Sequence, residues 1–165
     1  MAEIVTTYLQ MMSPDDLVPS RPPDPDFGVR EDTGRQWRLN RSLYLLVGGP
    51  WAWTDKQGWS EQQWETYLLS DQLRTFVASW RGATAGYYEL RRDEAHAVEI
   101  TYFGLAPDFI GRGFGGALLT DALKQAWAWD ARRVWVHTCS LDHAAALGNY
   151  QARGMRIYDR RFHQA

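Results

Sequence analysis

The chain opens on Glu3–Met11, where Ile4, Val5, Thr6, Thr7 and Tyr8 concentrate β-formers and predict a first strand. Five of the seven prolines then fall between Pro14 and Pro25, interleaved with Asp and Ser. Proline removes a backbone donor and fixes φ, so this stretch can be neither helix interior nor central strand. A long loop over 13–36 is expected, either a functional lid or loosely ordered. Helical spacing follows over Asn40–Trp53, interrupted at Gly48, Gly49 and Pro50. It returns over Ser60–Leu69, where Ser60 and Gln63 form a capping box and Trp64, Tyr67 and Leu68 recur on one face.

Arg74–Trp80 and Thr84–Arg91 read as strands joined by a tight connection at Arg81-Gly82-Ala83, and Ala95–Leu105 reads as a longer third strand. The period then changes. Phe114, Leu118, Leu119, Ala122, Leu123 and Ala126 form an i, i+3, i+4 stripe, which predicts an amphipathic helix over Gly113–Asp130. Arg133–Thr138 alternates around Val134 and Val136 as a strand, Ala144–Arg153 is a short Ala-rich helix stopped at Gly154, and Arg156–His163 is a last strand. The order strand, two helices, three strands, helix, strand, helix, strand describes an α/β (α+β) fold with a strand-helix-strand crossover at its middle.

A length of 165 residues suits one domain over 1–165, and 45% hydrophobic with 23% charged residues excludes disorder. A net charge of -2 argues against nucleic-acid or anionic-membrane partners. The single Cys139 cannot form an intramolecular disulfide, Met1 to Met12 lacks the pattern of a secretion signal, and no apolar stretch approaches the roughly 20 residues of a membrane span. These features point to a soluble, cytoplasmic protein. The unusual number is the aromatic content of 14%: nine Trp, of which five lie between Trp37 and Trp64.

Chemistry concentrates in Leu105-Ala-Pro-Asp-Phe-Ile-Gly-Arg-Gly-Phe-Gly-Gly-Ala-Leu-Leu119, a strand end, a short turn and a Gly-rich helix start. Gly111, Gly113, Gly115 and Gly116 bare backbone N–H groups where a helix N-terminus leaves donors free and carries partial positive charge, and Arg112 adds a full charge. Such a turn suits a phosphate or pyrophosphate. Gly111-x-Gly113-x-x-Gly116 matches the dinucleotide fingerprint literally, but Asp130 precedes the next strand instead of ending it, and no Gly-Lys-Ser/Thr follows to make a P-loop.

With this turn in place, the chain resembles the GNAT superfamily of N-acetyltransferases. Ile110-Gly-Arg-Gly-Phe-Gly115 corresponds to the family's Gln/Arg-x-x-Gly-x-Gly/Ala loop, and Ala146-Leu-Gly-Asn-Tyr-Gln-Ala-Arg-Gly-Met155 is similar to its Ala-x-x-x-Tyr-x-x-x-Gly-Phe signature. The resemblance implies a mixed, mostly antiparallel sheet flanked by helices, with acetyl-coenzyme A as co-substrate and no metal. Its pantetheine arm would run beside the long strand on Phe103, Gly104 and Leu105, with a bulge at Gly104. The pyrophosphate would sit on the turn formed by Ile110, Gly111, Arg112, Gly113, Phe114, Gly115 and Gly116. Tyr150 falls on the family's tyrosine, which protonates the departing thiolate.

The amine acceptor needs a base, and Glu99, in apolar strand surroundings that raise a carboxyl pKa, is the candidate. It matches the position of a general-base glutamate in the histone acetyltransferase branch; the alternative is a solvated glutamate paired with Arg91 or Arg92. Two departures stand out. Ile110 replaces the family's Gln or Arg, and His143 stands where many members place an Asn that touches the pantetheine. Only one strand fits after Gly154 in place of the family's final hairpin, so the substrate-side wall is expected to be incomplete or supplied by a second subunit of a homodimer.

His137, Cys139, Asp142 and His143 bunch together, but their spacing matches no zinc motif, and Asp142 reads better as the cap of the Ala-rich helix. The Pro-rich loop and the region from Tyr44 to Trp64, including Trp51 and Trp53, fall where the family builds its acceptor pocket, and they favour an amphipathic or aromatic amine of a small molecule or peptide over a highly charged polymer. Two rival readings are a non-catalytic acyl-coenzyme A sensor and a protein-interaction domain.

Overall fold

The computed structural model describes residues 3–51 and 53–164. The strands are β1 (Glu3–Met11), β2 (Phe27–Asp32), β3 (Leu73–Trp80), β4 (Ala83–Arg92), β5 (Ala97–Leu105), β6 (Arg133–Cys139) and β7 (Arg156–Gln164). The α-helices are α1 (Trp37–Gly48), α2 (Glu61–Leu68), α3 (Phe114–Ala128) and α4 (Ala146–Ala152). All seven strands form one sheet in the order β2-β3-β4-β5-β6-β1-β7. Every neighbouring pair is antiparallel except β5 and β6, which the α3 crossover makes parallel.

Helices cover both faces. Leu118, Leu119, Ala122, Leu123 and Ala126 of α3 are sealed against Tyr88, Leu90, Val98 and Ile100, so the predicted stripe is the main core. Leu43 and Val47 of α1 pack with Val77 and Tyr87 on the opposite face. The Ser60–Gln63 capping box forms as read, with Ser60 Oγ accepting from Gln63 N–H and the Gln63 side chain accepting from Ser60 N–H. No helix among the described residues is long and apolar enough to cross a membrane.

Three elements differ from the sequence reading. The segment 13–36, expected as loop, contains the edge strand β2, paired only with β3; its mixed sequence Phe-Gly-Val-Arg-Glu-Asp hides a strand with one solvated side. The prolines themselves stay out of the sheet, and their segment is tied down where Val18 N–H donates to Arg153 C=O and Ser20 N–H to Thr120 Oγ1. Helix α1 ends at Gly48, so Trp51 and Trp53 lie on the segment beyond it. The partner of β7 comes from the chain itself: β1 lies between β6 and β7 and pairs with both.

Candidate active site

β5 and β6 are in register over three pairs, ending at Glu99 opposite Trp135. Beyond that point the strands part, leaving the β6-facing backbone of β5 available to an extended ligand. A cavity of about 710 Å³ occupies the opening. It is bounded by β5 from Glu99 to Leu105, by Thr6 and Tyr8 of β1, by Val136, His137 and Cys139 of β6, and by Asn149 and Tyr150 of α4. Trp51, Trp53, Thr54 and Asp55 close it from the α1 side.

A bulge sorts the β5 side chains, but not where the sequence suggested. Gly104 pairs in register with Tyr87, whereas Glu89 opposes Tyr102 and Leu90 opposes Ile100, which leaves Thr101 as the extra residue. Gly104 is small for another reason: a Cβ there would come within 2.6 Å of Val47 Cγ1 on α1. Because paired residues share a face, the bulge turns Glu99 and Tyr102 to the same side, with Glu89 and Arg91 beside them. Thr101 itself lines the cavity and has a buried hydroxyl without a protein partner, as expected of a group placed for a ligand.

Of the residues singled out from sequence, Glu99, Phe103, Gly104, Leu105, Ile110, Gly111, His143, Tyr150, Trp51 and Trp53 all line this cavity. Arg112, Gly113, Phe114, Gly115 and Gly116 lie outside its lining, on the turn that continues from Gly111 into α3. Phe114 has its side chain in the core, stacked on Phe27 at 5.0 Å, so only its amide is available to a ligand. Gly111 and Gly113 take left-handed φ of 79° and 84°, which non-glycine residues reach only with strain, and this bend presents the free amides of the α3 first turn.

The guanidinium of Arg153 lies over Gly116, with Nη1 2.3 Å from where a Cβ would sit, and its buried Nε has no protein partner. A cation on the positive end of a helix is unfavourable alone and favourable with an anion between them. The turn therefore fits a diphosphate. Sequence reading passed over Arg153, although it stands inside the quoted α4 signature.

Glu99 is four-fifths shielded, and its Oε2 lies 3.8 Å from His137 Nε2 across the opening. Burial pushes its carboxyl above the ordinary 4.5, opposed by His137 and Arg91. Tyr150 is buried against Phe103, with ring centroids 5.9 Å apart, and burial pushes its phenol well up, so it carries its proton at neutral pH. His143 Nδ1 accepts from Ala145 N–H at 3.0 Å, which leaves its Nε2–H as a donor. Asp142 does not cap α4: its Oδ2 accepts from Thr138 Oγ1 and Cys139 N–H, fixing the β6–α4 turn.

On the α1 side of the sheet the structure shows a cluster that the sequence did not reveal. Lys56 and Glu89 are a buried ion pair at 3.8 Å. The ammonium lies 3.5 Å from the Tyr67 ring centroid and 4.2 Å from that of Tyr102, with Trp59 and Trp64 completing a cage. Tyr67 donates its hydroxyl proton to Glu89. Burial lowers Lys56 to about 8 and raises Glu89 to about 7, each opposed by the other's charge. A carboxylate amid Tyr87-Tyr88-Glu89-Leu90 was open to the argument applied to Glu99, but its lysine partner lies 33 residues away.

The profile of the Acetyltransferase (GNAT) family matches residues 31–155. An uncharacterised N-acetyltransferase of Mycobacterium tuberculosis is 31% identical over 77 residues, 47% of this chain and 49% of that protein. The chain thus spans about half the length of the curated relatives it matches. Among solved structures, an IAA acetyltransferase from Bacillus cereus is 25% identical with a TM-score of 0.61, covering 81% of this chain and 79% of that one. A GNAT family acetyltransferase from Elizabethkingia anophelis with acetyl-CoA bound is 22% identical with a TM-score of 0.60, over 82% and 80% of the two chains, and shares the fold.

Proposed function

Because the chain belongs to the GNAT acetyltransferase family, we propose that it moves an acetyl group from acetyl-coenzyme A directly to an amine of a small molecule or peptide. The observation that carries this reading is the opening between β5 and β6, with a shielded carboxylate on one side and a buried tyrosine on the other. The same cofactor is bound to the Elizabethkingia anophelis relative.

Acetyl-coenzyme A supplies a thioester whose acyl carbon is open to attack by an uncharged amine. Backbone groups of Phe103, Gly104 and Leu105 hold the pantetheine arm along the free edge of β5, and His143 Nε2–H adds a donor from the α4 side. The amides from Gly111 to Gly116, with Arg153, hold the diphosphate at the positive end of α3. Glu99 takes the proton that the acceptor ammonium must lose as its nitrogen attacks. His137 stabilises the carboxylate and leads the proton to solvent, being about half exposed at 48%. Tyr150 gives its phenolic proton to the sulfur as the C–S bond breaks.

The test follows free thiol from acetyl-coenzyme A with a panel of amines, on wild type and Glu99→Gln. Amine-dependent thiol release that falls by about 10²-fold or more in the variant supports the reading. Tight cofactor binding with no amine-dependent release would make the chain a sensor of acyl-coenzyme A.

A further inference from the structure

Asp55 occupies an unusual position on the acceptor side. Its Oδ1 accepts from Tyr44 Oη at 2.9 Å and its Oδ2 from Tyr102 Oη, so both oxygens are fixed, while the carboxylate remains solvent-exposed and lines the cavity. No cationic side chain among the described residues lies within ion-pair distance of it, since its neighbour Lys56 is turned inward to Glu89.

The flanking residues hold the segment in place. Trp53 is wedged among Tyr44, Tyr87 and Tyr102, with centroids 5.6, 6.5 and 5.2 Å away. Lys56 N–H donates to Tyr44 Oη, and the Lys56 side chain is buried in its four-ring cage. Burying a lysine is costly, and here the burial fixes the backbone that presents Asp55. A fixed carboxylate beside the rings of Trp53 and Tyr102 is the chemistry that recognises an organic cation.

We infer that Asp55, Trp53 and Tyr102 form a cation-binding subsite, and that the acceptor is a primary amine carrying a second positive charge along its chain. This rests on the acetyl-transfer reading, with the reacting nitrogen at Glu99. With Thr101 bulged out, Glu99 and Tyr102 stand on the same face of β5 opposite Arg91 and Glu89, two residues apart, which spaces them by about 7 Å along the strand. Flexible α,ω-diamines and amino-terminated quaternary ammonium chains match that span, whereas neutral alkylamines bring no charge to pair with Asp55.

The experiment compares kcat/KM for α,ω-diamines of about four to eight methylenes with n-alkylamines of equal length, in wild type and Asp55→Asn. Wild type is expected to favour the diamine by about tenfold or more, with an optimum in chain length, and Asp55→Asn to bring the ratio close to one. A second measurement needs no variant: alkyltrimethylammonium ions should compete with the amine in wild type, and neutral isosteres of the same shape should not. Equal turnover of mono- and diamines, or a preference untouched by Asp55→Asn, would overturn the subsite while leaving acetyl transfer standing. Absence of thiol release with every amine would instead overturn the acetyl-transfer reading and the subsite with it.

Discussion

Gly48→Ala places a single methyl group where the structure has no room for it. A Cβ on Gly48 would lie 2.1 Å from Trp53 Cε3 and 2.2 Å from Cδ2. To regain ordinary carbon contact near 3.5 Å the indole must retreat by roughly 1.4 Å. Tyr44, Tyr87 and Tyr102 block its retreat into the protein, so the ring moves toward the cavity and narrows the acceptor side. Overpacking costs about 1–3 kcal/mol, and replacing a helical glycine by alanine returns about 1 kcal/mol, so the net destabilisation stays within about 2 kcal/mol. Displacing a substrate-positioning group by an ångström, by contrast, costs on the order of 100-fold in turnover.

The expected result is therefore a disproportion. Thermal unfolding shifts by no more than about 8 °C, whereas kcat/KM for the amine falls by about ten- to a hundredfold. Gly49→Ala is the control, because a Cβ there meets nothing within 4 Å and both measurements should stay at wild-type values. A folded Gly48→Ala protein with amine kcat/KM within about twofold of wild type would refute the assignment of Trp53 to the acceptor wall.

Other outcomes follow from the same geometry. Since burial raises the Glu99 carboxyl, kcat/KM should climb with pH through a limb lying above the ordinary carboxylate value of 4.5, and Glu99→Gln should abolish that limb; an unchanged limb would place the base elsewhere. Tyr150→Phe should lower kcat more than it changes the KM for acetyl-coenzyme A, whereas equal loss in both would make Tyr150 a packing residue. Glu89, raised from 4.5 to about 7, contributes stability that is complete below 4.5 and lost as pH rises through 7. Lys56, lowered from 10.5 to about 8, contributes stability present above 10.5 and lost as pH falls through 8. Denaturant titrations should thus find wild type weakest relative to Lys56→Met/Glu89→Leu between pH 7 and 8, and a parallel pH dependence in the two proteins would contradict the pair.

What was legible in the sequence follows the range of the interactions involved. The α3 stripe, the Ser60–Gln63 box and the glycine turn each lie within one element, and each forms as read. Trp51 and Trp53 stand out by position, and both reach the cavity wall although neither is on an α-helix. Longer-range features were hidden. β1 and β7 pair across nearly the whole chain, so local patterning gave no sign that β1 would sit between β6 and β7 and line the cavity. The Lys56–Glu89 pair sits within an ordinary charge pattern, and only the fold brings four aromatic rings around the ammonium. The bulge was assigned to Gly104 because glycine tolerates irregular backbone, but close packing of Val47 accounts for that glycine, and the irregularity falls at Thr101.

The most direct test of the account is a crystal structure with coenzyme A. The arm should lie in the β5–β6 opening against the backbone of Phe103 to Leu105, the diphosphate on the amides between Gly111 and Gly116 within reach of Arg153, and the sulfur beside Tyr150. Coenzyme A bound elsewhere on the chain, or no binding at millimolar concentration, would contradict it.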